Sequence, residues 1–228
     1  MSFFSSWVVK PFVLISLILF ISGCSFSQNQ SVNDITPPSV DKPARIVALG
    51  DSLTAWYGLD MSQSYPSQLE KKLRDNGYFY SVENAGVSGD TTAQLLDRIE
   101  WVLAGDNITA IILTIGSNDA FQSKNPADIK ANIVKILDQI EQRGIPVLLV
   151  GMKAPLNLWV QYTSSFEAIY QDLSKHPAVK GYIPFLLEGV ATRSELNLPD
   201  RIHPNEAGYA IITQTVYDAL LQNKFIEK

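Results

Sequence analysis

From Ala44 onward the chain alternates short, nearly continuous apolar runs with longer stretches of helical periodicity, and this alternation is the strongest constraint on its fold. The short runs are Arg45 to Leu49, Tyr80 to Asn84, Ala110 to Ile115, Val147 to Val150 and Gly181 to Ile183. Between them lie helical stretches at Tyr65 to Asn76, Thr91 to Leu103, Pro126 to Arg143 and Ser164 to Lys175, and a last one covers Asn205 to Asn223. A strand wetted on one face alternates apolar with polar residues, so runs as unbroken as Ile46 to Leu49 belong to strands covered on both faces. The pattern predicts an α/β fold: a three-layer αβα sandwich around a five-stranded parallel sheet. The first helix illustrates the reading, with Leu69 and Leu73 four residues apart and Gly77 as a stop signal.

Composition narrows what such a domain can do. The 228 residues are 46% apolar and 18% charged, which supplies a sizeable core and excludes intrinsic disorder. One cysteine excludes a disulfide framework. With 18 Lys and Arg against 23 Asp and Glu, there is no basic footprint for a nucleic-acid backbone, and no nucleic-acid partner is expected. Two histidines and one cysteine are too few soft ligands for a typical zinc site, so no metal is expected.

The first 23 positions are unlike the rest. After Lys10 comes an almost unbroken apolar run, Phe12 to Ile21, followed by Ser22, Gly23 and Cys24. A charged start, an apolar middle and a small-residue end make a secretory leader, and the run is short for a membrane span unless extended back to Phe3. Ile21-Ser22-Gly23-Cys24 resembles the bacterial lipobox, which implies cleavage before Cys24 and lipidation of that cysteine; an uncleaved signal anchor is the alternative. The organisation expected is a lipoprotein signal peptide at 1–23, a flexible tether at 24–43 rich in Ser, Asn, Gln and Pro, and a folded domain at 44–228. On this reading the partner at that end is a membrane. Ser25 rather than Asp beside the cysteine resembles outer-membrane lipoproteins, so the expected location is the cell envelope, on the periplasmic side.

In open parallel sheets ligands sit at the carboxyl ends of the strands, where loops and helix N-termini converge. Four segments at those places carry polar residues suited to chemistry. Gly50-Asp51-Ser52-Leu53-Thr54 follows the first strand and either presents a serine at the sheet edge or merely turns the chain. Asn84 to Thr92 contains Gly86 and Gly89 ahead of a helix, which suits an oxyanion or simply a capped loop. Gly116-Ser117-Asn118-Asp119 comes after the third strand; Asn118 is a side-chain donor for an oxyanion or an Asx-turn residue, and Asp119 a cap for the next segment. Asp200-Arg201-Ile202-His203 sets a carboxylate three residues ahead of an imidazole, as a general base requires. His176 has Leu173 at the equivalent position and reads as a surface residue. Gly-x-Ser-x-Gly occurs nowhere in the chain.

Taken in order, these segments resemble the SGNH/GDSL hydrolase family over essentially all of Ala44 to Leu221. Gly50 to Ala55, Asn84 to Thr92 and Ile202 to Asn205 are similar to its arylesterase, acyl-CoA thioesterase I and lysophospholipase L1 branch. The resemblance implies a flavodoxin-like sheet and a cofactor-free serine esterase acting on a small acyl ester, thioester or lysophospholipid, and a monomer is expected. It implies Ser52 as nucleophile, His203 as general acid and base, and Asp200 as its orienting carboxylate. The backbone N–H groups of Ser52 and Gly86 and the side chain of Asn118 would form the oxyanion hole. Trp56 and Ser117 depart from the family pattern, where smaller residues are usual. Trp56, Phe121, Leu156 and Trp159 are expected to shape the substrate pocket, with core or lid packing as the other reading. A carbohydrate O-acetylesterase, or a non-catalytic envelope module on the same fold, are the alternatives in function.

Overall fold

The computed structural model describes residues 43–155 and 157–228. The expected leader, Cys24, most of the tether and Leu156 lie outside the described residues.

Five parallel strands form one sheet: β1 (Ala44–Gly50), β2 (Tyr80–Gly86), β3 (Ile108–Thr114), β4 (Val147–Val150) and β5 (Val179–Ile183), in the order β2-β1-β3-β4-β5. The helices are α1 (Tyr65–Asp75), α2 (Thr92–Leu103), α3 (Ser117–Phe121), α4 (Pro126–Gln142), α5 (Val160–Leu173) and α6 (Glu206–Gln222). Ile46 to Leu49, Ala110 to Leu113 and Val147 to Val150 are buried, as expected of central strands sandwiched between helices. β2, at the edge, keeps only Val82 fully covered and carries polar residues at most other positions.

Local chemistry sets most element boundaries. Ser64 caps α1 with its hydroxyl and Pro66 occupies the first turn; Asn125 and Pro126 do the same for α4, and Asn205 accepts the Gly208 N–H at the start of α6. Two helices differ from the sequence-based expectation. α5 begins at Val160 rather than Ser164, because its N-cap is Trp159, which offers no side-chain acceptor. α3 is a single short turn begun by Gly116 at φ 115, where a Cβ would sit 2.4 Å from the Tyr170 hydroxyl. Only glycine admits both that conformation and that contact.

The strand order turns about β1: the chain steps from β1 to β2 on one side, then crosses back to β3 on the other. At this switch point the loops leaving β1 and β3 diverge to opposite faces and leave a crevice at the carboxyl edge. Ser52 stands on the loop leaving β1, and Asn118 on α3, the short turn that follows β3.

Candidate active site

Ser52 sits in the turn that leaves β1, a turn closed by Thr54 and Ala55 N–H groups donating to the Asp51 carbonyl at 3.1 and 3.0 Å. Its Oγ lies 2.9 Å from Nε2 of His203, and Nδ1 of His203 lies 2.7 Å from Oδ2 of Asp200. The other Asp200 oxygen accepts the backbone N–H groups of Ile202 and His203, at 2.9 and 3.0 Å. Burial alone would push this carboxyl up; those N–H groups and the imidazole outweigh it and hold Asp200 below the usual carboxylate range. An ionised Asp200 accepts the hydrogen bond of the Nδ1–H and so fixes the proton on that nitrogen, which leaves the Nε2 lone pair facing the serine hydroxyl.

The three residues stand at a cavity of about 670 Å³. Its wall is mostly apolar, with Leu53, Phe121, Met152, Pro155, Phe185 and Leu187 among the contributors, and Asn118 and Ser117 on the β3 side. Asn118 Nδ2 gives one hydrogen to the Asp90 carbonyl at 2.9 Å, which orients the amide and leaves its second hydrogen for a ligand. Gly86 departs from expectation: it is not part of the cavity wall, and its N–H donates to Asn84 Oδ1 at 3.0 Å. The glycine itself is demanded by close packing, since a Cβ there would lie 2.4 Å from the Ala55 nitrogen. Of the side chains expected to line the substrate pocket, Phe121 does, whereas Trp56 and Trp159 do not and are 42% and 80% exposed. The β1 turn carries Trp56 outward and brings its neighbour Tyr57 to the cavity instead.

Tyr57 was hidden in the sequence. Its ring stacks on the His203 imidazole at 4.3 Å between centroids and 30° between planes. No local pattern marks this pairing, which joins positions far apart in the chain. The framework around the site was equally hidden. Arg98, from α2, pairs with Asp90 at 2.7 Å and donates to the Gly50 and Ala85 carbonyls, tying the ends of β1 and β2 together. Asp119 caps α2 from another segment, accepting the Thr92 N–H and hydroxyl at 2.8 Å each. Beneath the nucleophile, Asp51 is wholly buried; burial first, then the nearby charges of Asp90 and Asp119, push its carboxyl up to about 7. His176 is half-buried rather than a free surface residue, and pairs with Asp138 well away from the cavity wall.

A nucleophile, a base and an orienting carboxylate in the chain order Ser-Asp-His, on a parallel α/β sheet, define a serine hydrolase. The particular kind is a lipase/acylhydrolase: residues 48–211 match the model of the GDSL-like Lipase/Acylhydrolase family, and the chain belongs to it. It is 33% identical to esterase TesA of Pseudomonas aeruginosa over 77% of this chain and 87% of that protein. It is 30% identical to an arylesterase of Vibrio mimicus, over 92% of this chain and 98% of the relative. Among solved structures, AlinE4, an SGNH-hydrolase family esterase, is 40% identical with a TM-score of 0.68, covering 81% of this chain and 98% of that one.

Proposed function

We propose that this acylhydrolase cleaves carboxylic esters or thioesters of apolar acyl chains through an acyl-serine intermediate. The single observation that carries the reading is the Ser52–His203–Asp200 relay, with spacings of 2.9 and 2.7 Å, at an apolar cavity. Ser52 Oγ attacks the acyl carbonyl carbon while Nε2 of His203 takes the hydroxyl proton. The carbonyl oxygen becomes an oxyanion, received by the Ser52 backbone N–H and the free hydrogen of Asn118; Gly86 joins them only by sharing the hydrogen now given to Asn84. The tetrahedral intermediate collapses, the alkoxide or thiolate leaves with the proton from His203, and the acyl group stays on Ser52. Water, deprotonated by the same imidazole, then releases the acid and restores the serine.

An apolar wall favours an acyl chain over a glycan, which would need hydrogen-bonding partners along its length. Relatives named esterase and arylesterase, and one from Escherichia coli named thioesterase 1/protease 1/lysophospholipase L1 at 31% identity, support the same substrate class. The test is hydrolysis of p-nitrophenyl acyl esters and labelling by a fluorophosphonate probe. Both are expected in the unsubstituted protein and lost in Ser52→Ala; wild-type turnover by Ser52→Ala would overturn the assignment.

We further propose that the domain is held at a membrane by lipid on Cys24. The support is the apolar leader ending in Ile21-Ser22-Gly23-Cys24 and the polar segment behind it. Cys24→Ala is expected to abolish incorporation of labelled fatty acid and to leave an unprocessed leader; incorporation unchanged by the substitution would refute the anchor.

A further inference from the structure

We propose that Arg201 is a specificity-determining residue that reads a phosphate on the leaving-group side of the substrate. The inference rests on the ester-hydrolase reading of the cavity and names the leaving groups it favours.

Arg201 lies between Asp200 and His203 and lines the cavity with Ile202 and His203. Its backbone has φ 60, in the left-handed region, and its N–H closes a turn onto the Leu198 carbonyl at 2.9 Å. That turn serves the triad, because it lets Asp200 collect the Ile202 and His203 N–H groups. Glycine would make the same turn without strain. The turn therefore does not by itself call for arginine, and the same φ region is occupied elsewhere by Asn107, Ser123, Thr192 and Lys224.

The guanidinium is also unspent. Arg45, Arg74, Arg98, Arg143 and Arg193 each pair with a carboxylate, respectively Glu83, Glu70, Asp90, Glu100 and Glu195. Among the described residues, Arg201 has neither a carboxylate nor a side-chain hydrogen-bond partner. Lys153, the other cation on the wall, is occupied: it lies 4.7 Å over the Phe185 ring and 3.9 Å from Glu188.

Buried apolar residues such as Leu53 and Met152 take the acyl chain, so the leaving group points toward the exposed rim where Arg201 stands. A planar guanidinium matches phosphate through two parallel hydrogen bonds. On a chain of net charge −5, an anionic substrate gains most from such a dedicated cation.

Two pairs of substrates with one acyl length test this on the full chain: a monoacylglycerol against its 3-phosphate, and an acyl-pantetheine against the acyl-4′-phosphopantetheine. In the unsubstituted protein kcat/KM is expected to be about tenfold or more higher for the phosphorylated member of at least one pair. That pair identifies the source of the phosphate, a glycerol ester or a pantetheine thioester. Arg201→Gly and Arg201→Gln are expected to bring the ratio near one by raising KM for the phosphorylated member, and Arg201→Lys to restore part of it. Raising salt should shrink the ratio only where a cation is present. A general structural defect lowers both members together and leaves the ratio unmoved. A ratio near one in the unsubstituted protein, or one unchanged in Arg201→Gly, overturns the proposal. If p-nitrophenyl esters are hydrolysed but neither pair is, the leaving-group assignment fails while the ester-hydrolase reading stands; failure on all esters with no fluorophosphonate labelling refutes both.

Discussion

Among the described residues there are two histidine–aspartate pairs, and only one of them has the arrangement of a general base. At the carboxyl edge of the sheet, His203 donates its Nδ1–H to Asp200 and turns Nε2 to Ser52. Between α5 and β5, His176 has its nitrogens used the other way round: Nδ1 accepts the Ala178 N–H at 3.2 Å, and Nε2 faces Asp138 at 3.1 Å. A neutral imidazole has one proton and one lone pair. In His176 a backbone N–H occupies the lone pair and the carboxylate accepts the ring N–H, so nothing is left to accept a proton from a substrate. In His203 the carboxylate accepts the N–H and the lone pair stays available. Proximity of a carboxylate is common to both; what separates them is which ring nitrogen it occupies and whether a backbone N–H reaches the other.

Exchanging each imidazole for an amide gives the widest contrast. His203→Asn should lower kcat on a p-nitrophenyl ester by about 10⁵- to 10⁶-fold, as removal of a triad base does elsewhere, whereas His176→Asn should leave kcat within a factor of about two. An equal loss in both would abolish the distinction.

The carboxylates come next. Asp200→Asn should cost about 10⁴-fold in kcat with little change in KM, because the imidazole loses its tautomer. Asp138 is half exposed, so Asp138→Asn should leave turnover intact and shift urea stability by less than about 1 kcal/mol.

A third carboxyl, Asp51, sharpens the picture because no imidazole meets it. Burial raises it from 3.8 to about 7, so its contribution to stability is fully present below 3.8 and lost as pH rises through 7. Between those limits the loss is about 4 kcal/mol, at 1.36 kcal/mol per pH unit. Urea midpoints at pH 4.5 and 7.5 should therefore diverge in the unsubstituted protein and converge in Asp51→Asn. Asp200 works in the opposite direction: held low, it contributes stability that disappears as pH falls.

The smallest effect concerns Tyr57, the ring that His203 has and His176 lacks. Tyr57→Leu should reduce kcat by about two- to tenfold, and Tyr57→Phe should retain it, since the stack needs an aromatic face and not a hydroxyl. A loss in Tyr57→Phe equal to that in Tyr57→Leu would transfer the role to the phenol.

Much of this was legible in the chain. Central strands announce themselves because a parallel sheet covered on both faces needs unbroken apolar runs, as at Ile46 to Leu49 and Val147 to Val150. The Asp200–His203 pair was legible because its groups act within three residues of one another; Ser52, whose partner lies 151 positions away, was legible only through the ordered segments that resemble a known family. The unseen features depend on partners distant in sequence. Asp119 reads as a cap for the segment that follows it but caps α2, whose start lies 27 positions earlier. Tyr57, Arg98 and the partner of His176 are likewise known only once the sheet brings separate loops together. Trp56 faces away from the cavity for a related reason: position after the serine says how near a side chain is along the chain, and the turn decides which way it faces.

Arg98 bears on how this domain can be altered. One guanidinium holds the last carbonyl of β1, the Ala85 carbonyl and Asp90, so the loops bearing the nucleophile and the glycine motif are fastened to a single point. Lengthening either loop would pull on the other. The segment after β4 is outside that fastening and carries neither the serine nor the Asp200–His203 pair, and it supplies Met152, Lys153, Ala154 and Pro155 to the cavity wall. Diversification of substrate range, whether in nature or in a laboratory library, has its freest ground there, where residues can be inserted or exchanged without disturbing the attack geometry.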